Sequence, residues 1–281
     1  MSSDDNNPEF EDYGRVSSYY DKTRVPAGLD IILKMIAQGK GKSTVILDAG
    51  CGTGNYLCGV APHVKQITGL EFNRGMLKQT IAKVGQSNLV DKVKLLQGSL
   101  LEKKLPFDDS SFDAIMINQV IHHLDDGSDP TFPNLRHLLL EFARILKPGG
   151  FLSINLTTRN QAGSFWWQSL MPRANKDYAD KHIPNGLLID YLTEAGLGFK
   201  EMIACKDPLQ GDHYFNPAGP LNSDWRNGDS TWSTLTNDEL DGIKEFIQTM
   251  VDQGIAGRYM DQHDTQRRAI GQSTFVISYK G

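Results

Sequence analysis

Seven consecutive residues, Asp48-Ala49-Gly50-Cys51-Gly52-Thr53-Gly54, carry the strongest chemical signal in this chain. Glycine at alternate positions permits a tight turn and lets a ligand lie against bare backbone. A loop of this kind can also be an ordinary strand-to-helix turn, so its spacing has to decide. The pattern is GxGxG, with Asn55 where a dinucleotide-binding GxGxxG loop needs its third glycine. It is not GxxxxGK followed by Ser or Thr, so it is no phosphate-cradling P-loop. Glu71 follows 17 residues after Gly54. A carboxylate there can accept hydrogen bonds from both hydroxyls of a ribose. The alternative is a solvated acid at the end of a strand.

Two other groups could do chemistry. His122 and His123 follow Asn118-Gln119-Val120-Ile121. An imidazole there can take a proton as a hydroxyl or amine becomes a nucleophile, or it can cap and pack the next helix. Further on lie His213, Tyr214, Trp225, Arg226 and Trp232. Arg226 suits a carboxylate, and the rings suit a flat or cationic substrate. Equally, Trp225 and Trp232 can pin a long loop to the core.

The elements that must position these groups read as alternating strands and helices. Residues 26–39 form an amphipathic helix closed by Gly39, and 44–48 a buried β-branched strand. After the glycine loop come a helix over about 55–60, a strand at 66–71, a helix at 73–84 and a strand at 93–97. A strand at 112–117, a helix over 133–146 stopped by Lys147-Pro148-Gly149-Gly150, and a strand at 151–156 complete the run. That rhythm gives a parallel sheet with helices on both faces. After residue 157 it breaks. A helix at 187–195, strands at 199–205 and 273–279, and one helix near 237–253 are readable. The rest of the segment between the last two strands is a loop-rich insertion.

In order, VILDAGCGTG, GLEFNRGML, LPFDDSSFD, HHL and ARILKPGGFL resemble the class I S-adenosylmethionine-dependent methyltransferases. The similarity is to their small-molecule branch, which includes the ubiquinone, menaquinone and trans-aconitate methylases. It is strong over residues 40–157 and weak in the final strands. The resemblance implies an α/β, Rossmann-like fold with a mostly parallel seven-stranded sheet, helices on both faces and an antiparallel last strand. A lid would be inserted between the last two strands. It implies S-adenosyl-L-methionine as cofactor, leaving S-adenosyl-L-homocysteine as product.

The same resemblance assigns roles. Asp48 stands at the ligand's amino end, with Gly50, Cys51, Gly52 and Gly54 under its methionine part. Glu71 holds the ribose, Phe72 packs on the adenine, and Asn118 lines the amino-acid end. The family commonly has Asp after its third strand, but here Ser99 and Leu100 stand there. His123, and less so His122, stand where this branch often places a base. Tyr20 and Arg24, in a YDxxR-like segment, belong to an N-terminal lid that excludes water. Residues 1–12 read as a mobile tail, 13–40 as lid and first helix, and 41–157 as the cofactor-binding core. Residues 158–281 complete the sheet, with a substrate cap at about 206–265.

Composition narrows the partners. With 34 acidic and 29 basic residues the net charge is −5, against a nucleic-acid partner. No apolar run approaches membrane-spanning length. The polar start MSSDDNNPEFED lacks a signal-peptide pattern. Three cysteines, with no CxxC pair, do not make a disulfide framework. The expectation is a cytoplasmic monomer or homodimer acting on a small molecule, with no metal; the alternatives are an RNA- or protein-modifying methyltransferase and a non-catalytic S-adenosylmethionine-binding module. The (N/D)PP(Y/F) segment of amino-group methylases is absent after Asn118.

Overall fold

The computed structural model describes residues 24–281. The expected tail, most of the 13–25 cover segment and Tyr20 lie outside the described residues. The strands are β1 (Val45–Ala49), β2 (Gln66–Glu71), β3 (Val93–Gln97), β4 (Phe112–Asn118), β5 (Leu146–Leu156), β6 (Leu197–Cys205) and β7 (Ser273–Lys280). They form one sheet in the order β3-β2-β1-β4-β5-β7-β6. Neighbours pair in parallel except β7, which runs antiparallel to both β5 and β6. This is the Rossmann-like arrangement the sequence implied.

Alternation along the strands builds a core on each face. Ile46, Ile67, Ala114, Met116 and Ile277 point to one side. There they meet Ile32, Met35 and Ile36 of α1 (Leu29–Gln38), and Leu57 and Val60 of α2 (Asn55–Val60). Leu47, Leu70, Ile115, Ile117, Leu152 and Val276 point to the other. They pack on Leu135, Leu138, Leu139 and Phe142 of α4 (Pro133–Ile145), and on Leu188 and Leu192 of α7 (Asn185–Glu194). The helix α3 (Arg74–Gln86) is N-capped by the Asn73 side chain.

The Lys147-Pro148-Gly149-Gly150 stretch differs from its sequence reading. The helix ends at Ile145, but Leu146 already pairs with Phe112, and β5 runs through the glycines with a register shift. Gly149 takes φ 73° there, so the same residues that stop the helix also kink the strand.

The region after β5 holds α9 (Asn237–Asp252) where the sequence placed a helix, and more helix than expected besides: α5 (Arg159–Ala162), α6 (Pro172–Asp180), α8 (Ser223–Arg226), α10 (Ala256–His263) and α11 (Thr265–Ile270). The added helices are short or carry sparse apolar stripes. In α10, for instance, only Ala256 and Met260 are buried.

An aromatic cluster fastens the insertion to the sheet. Trp167 lies 5.5 Å from Trp166, 5.2 Å from Tyr214 and 4.8 Å from Trp225, and Trp225 lies 5.8 Å from Trp232, in tilted or edge-to-face arrangements. Trp166 Nε1 donates to the Tyr214 carbonyl at 2.9 Å, and Trp225 Nε1 to the His213 carbonyl at 2.8 Å. Tyr214 is fully buried and its hydroxyl donates to Asp264 at 2.6 Å. Arg267 pairs with the same Asp264 and lies 4.9 Å over the Tyr214 ring. Burial, with Asp264 beside it, pushes the Tyr214 hydroxyl far above its usual pKa. Trp225→Ala should therefore destabilise the whole fold by about 3–5 kcal/mol, the cost of emptying a buried tryptophan site. Urea unfolding checks this; an unchanged midpoint would mean that the cluster does not hold the insertion.

Candidate functional site

The sheet reverses direction of growth between β1 and β4, and the carboxyl ends of β1, β2 and β4 meet there. Such a crevice is where open α/β sheets bind ligands. The loop from Gly50 to Gly54 closes over it. Gly50 N and Cys51 N donate to the Leu70 carbonyl at 2.8 and 3.0 Å. Gly52 N donates to Glu71 Oε2 at 2.8 Å, and Asn73 N to Glu71 Oε1 at 2.7 Å. Thr80 Oγ1, from α3, donates to the Gly52 carbonyl at 2.7 Å. Glu71 thus clamps the loop to β2, a role its position in the sequence did not reveal. A carboxylate offers about four acceptor sites, so room remains for a ligand.

Gly52 sits at φ 55°, and a Cβ built there would meet nothing closer than Met76 Sδ at 3.9 Å. Its bare backbone faces open space. Gly50 and Gly54 are different: a Cβ there would come within 2.7 Å of Val120 and 2.8 Å of Thr80. Their glycines serve close packing. Cys51 is buried in the loop, and burial holds its thiol well above the usual pKa.

Asp48 is buried at the end of β1, and burial, then the Glu71 charge, raise its pKa to about 8. Asn118 beside it pulls the value partly back. Yet both amide atoms of Asn118 are buried without reaching any hydrogen-bond partner. Unpaired buried amides are costly, and this one lies at the strand end where a polar ligand group would satisfy it. Burial also raises the pKa of Glu71, against the pull of its backbone donors.

On the far side of the loop Phe72 is half exposed. Leu100 is buried, and Ser99 Oγ already accepts from Leu101 N at 3.1 Å. Arg24 donates from Nε to the Gly228 carbonyl at 2.8 Å, and its own carbonyl accepts from Asn55 Nδ2 at 3.3 Å. It ties the start of α2 to the insertion.

The turn after β4 brings in the histidines. His122 is half buried, and its ring lies 4.0 Å from that of His123. His123 stays accessible although dense protein surrounds it, as a side chain lining a cleft does. Burial, then Lys181 and His182, lower its pKa to about 4. Burial also holds His122 well below the usual value.

Sequence reasoning missed several residues. His182 stacks on His122 at 5.2 Å, and Tyr178 lies 4.6 Å from His182. Gln119 takes φ 56°, an unusual conformation for a non-glycine residue, and such strain concentrates at functional sites. Its side chain donates to Asn155 Oδ1 at 3.1 Å; Asn155 Nδ2 donates to the Tyr56 hydroxyl at 3.0 Å, and Tyr56 to the Ala27 carbonyl at 2.8 Å. A fully buried asparagine inside the apolar run of β5 was the readable signal for this chain of bonds.

The proposed substrate residues divide. Tyr214 is closed inside the protein and Trp225 Nε1 is spent on a backbone carbonyl, so these two are pins for the insertion rather than substrate contacts. His213 is exposed. Arg226 donates to the Pro220 carbonyl at 2.6 Å, and burial lowers its pKa. Trp232 is buried with its Nε1 unpartnered, near Asp229 Oδ2 and Thr231 Oγ1, which are likewise buried without partners. Among the described residues, no group of three or more His, Cys, Asp or Glu could hold a metal ion.

Residues 47–154 match a family described as a methyltransferase domain. The match spans 108 of the chain's 281 residues, and over them the chain is similar to methyltransferase domains. A demethylmenaquinone methyltransferase of Listeria welshimeri is 31% identical over 150 residues, which are 50% of this chain and 59% of that one. The chain thus aligns with little more than half the length of this curated relative. A solved structure from Anabaena variabilis, assigned to an antibiotic biosynthesis pathway, superposes with TM-score 0.71 at 20% identity, over 92% of this chain and 99% of that one. The [4+2]-cyclase SpnF superposes with TM-score 0.57 at 17% identity, over 97% and 94%. These two show the fold. Domain and fold together imply S-adenosylmethionine as the cofactor, and the open Gly52 backbone and unpartnered Asn118 amide fit it.

Two outcomes follow from this geometry. Glu71→Gln sets an amide against a backbone N–H and should weaken S-adenosylhomocysteine binding by about 1.5–3 kcal/mol, the worth of hydrogen bonds to a charged group; calorimetry reads it. Asp48 keeps its proton up to about pH 8 when folded but releases it near 3.8, its ordinary value, when unfolded. Stability is therefore lost as pH rises through that window. The Tm of the ligand-free protein should fall between about pH 5 and pH 8, and Asp48→Asn should flatten the fall. Parallel Tm curves for the two proteins would assign the proton elsewhere.

Proposed function

We propose that this protein is an S-adenosylmethionine-dependent methyltransferase acting on a small-molecule acceptor. The observation that carries the reading is the clamped glycine loop at the sheet's reversal point, with Asp48 and Asn118 buried at the strand ends beside it. Asp48 and Asn118 would hold the polar amino-acid end of the cofactor, the Gly52 backbone its methionine chain, and Glu71 its ribose. Phe72 would cover the adenine, with Ser99 and Leu100 at its edge. When bound, S-adenosylmethionine supplies an electrophilic methyl group on sulfur.

The chain's own work is then to position, desolvate and accept a proton. His123, unprotonated and accessible, is the base we assign, with His122 behind it. Residues 206–265 with 13–25 would roof the acceptor. The link between Arg24 and Gly228 supports this by joining the two segments. Trp232, Arg226 and His213 are the insertion's remaining candidates for acceptor contacts. The small-molecule class draws support from the demethylmenaquinone methyltransferase relatives and from the net charge of −5. No described helix is long and apolar enough to cross a membrane. The fold alone does not fix the chemistry, as the superposition on a cyclase illustrates.

Labelled methyl groups from S-adenosylmethionine should appear in small molecules of a metabolite extract. S-adenosylhomocysteine should raise the Tm, and NAD and NADP should not, because Asn55 occupies the third-glycine position. A shift with NAD equal to that with S-adenosylhomocysteine would overturn the cofactor assignment.

A further inference from the structure

One short turn of the insertion holds three polar atoms that the fold leaves unused. Asp229 Oδ2, Thr231 Oγ1 and Trp232 Nε1 are each buried without a hydrogen-bond partner. Their residues are 7%, 3% and 5% exposed. They belong to the 3-10 helix Ser230–Thr234 and to the residue that caps it. Asp229 Oδ1 accepts from Thr231 N at 2.9 Å, which folds the carboxylate over the start of the turn. Trp232 N donates to the Asp229 carbonyl at 3.2 Å. In a 3-10 turn, side chains three residues apart eclipse each other, so Asp229 and Trp232 share a face. The Trp225 ring stands edge-on to Trp232 at 5.8 Å and holds the indole in place.

Capping accounts for only one oxygen of Asp229. A serine or threonine would cap the turn without burying a second carboxylate oxygen, which costs free energy unless something donates to it. The turn also stands over the site. Its neighbour Gly228 accepts from Arg24 Nε at 2.8 Å, and the Arg24 carbonyl accepts from Asn55, which opens α2 directly after Gly54. Two hydrogen bonds therefore link the turn to the exit of the glycine loop. The three atoms together read out one kind of group. An indole N–H only donates, a carboxylate only accepts, and a hydroxyl does either. A ligand hydroxyl has one proton and two lone pairs. It can donate to Asp229 and accept from both Trp232 and Thr231, which satisfies all three. An ammonium group has no lone pair for the indole. A carboxylate has no proton for Asp229 and is repelled by it.

We propose that Asp229, Thr231 and Trp232 form a specificity subsite in the acceptor pocket, and that the acceptor carries a hydroxyl group, distinct from the atom that is methylated, which binds there. The assignment rests on the methyl-transfer reading above and names a group that the acceptor must bear. The three residues bind and orient; none takes part in the transfer of the methyl group. An acceptor without this hydroxyl leaves the buried carboxylate and the indole unpaired, so the subsite rejects it.

In the test, the protein transfers labelled methyl groups from S-adenosylmethionine into a metabolite extract, and the labelled product is isolated and treated with acetic anhydride. The product is expected to take up an acetyl group that mild alkali removes, as it does from an ester and not from an amide. The extract fraction that yields this product then serves as substrate for variants. Asp229→Asn keeps an oxygen for Thr231 N, and so keeps the turn. It should raise KM about tenfold with kcat and the Kd of S-adenosylhomocysteine near wild type, the pattern of lost uniform binding. Trp232→Phe keeps a ring and removes the N–H, and should also raise KM. The double variant should lose less than the product of the two single losses, because both side chains bind one hydroxyl. A product with no hydroxyl to acetylate would overturn the proposal. So would an unchanged KM in Asp229→Asn, which together with a lowered Tm would make the three atoms the seat of a structural water. Weaker S-adenosylhomocysteine binding in Asp229→Asn would place the residue with the cofactor and overturn it too, as would the absence of any labelled product while S-adenosylhomocysteine still binds. Failure of S-adenosylhomocysteine to bind the wild-type protein would instead remove the methyl-transfer reading beneath it.

Discussion

One carboxylate holds the site together. Glu71 takes an amide proton from Gly52 with one oxygen and from Asn73 with the other. The first bond fixes the loop to the end of β2. The second fixes the entry into α3, whose Thr80 then returns to the Gly52 carbonyl. The result is a closed triangle of strand, loop and helix around a buried acid. A buried carboxylate is tolerated only when its lone pairs are used, and the backbone donors here partly offset the burial that raises its pKa. In the proposed reading the loop's shape and the binding surface are one construction, because the group that sets the backbone is also the one assigned to the ribose.

The opposite side of the crevice follows another logic. It carries no comparable clamp and is shaped by strain and stacking. Gln119 leaves β4 in a left-handed conformation, held by Asn155, and this turns the chain so that the histidines face the crevice. Stacking on His182 then holds the His122 ring, against which His123 leans.

Much of this was legible in the sequence. Each strand from β1 to β4 is a short apolar run bounded by turn residues, and the loop's GxGxG spacing with Glu71 17 residues on pointed to a nucleoside-bearing ligand. The remainder lay in tertiary contacts. Tyr214 reads on paper as a candidate substrate contact, and only the packing of Trp167, Asp264 and Arg267 around it makes it core. His182 stands 59 residues after His123, in a stretch without periodicity, and nothing local ties the two. Helices α10 and α11 were missed because their stripes are too sparse to register. Ser99 stands where the resemblance leads one to expect an acid, and the structure gives it a local backbone contact.

The antiparallel course of β7 has a consequence for how such a protein changes over time. Because β7 returns beside β6, the insertion leaves the sheet at Cys205 and re-enters at Ser273, its paired neighbour. Gly271 fits that junction so closely that a Cβ would lie 2.2 Å from the Cys205 carbonyl. Both ends of a 67-residue excursion, from 206 to 272, thus pass through a single doorway on the crevice side of the sheet. The excursion's two ends are set by the sheet, while Tyr214, Trp225 and Trp232 are built into the core, so changes of length fall on the exposed stretches between these anchors. A lineage can therefore vary those stretches while the doorway and the anchors stay in place.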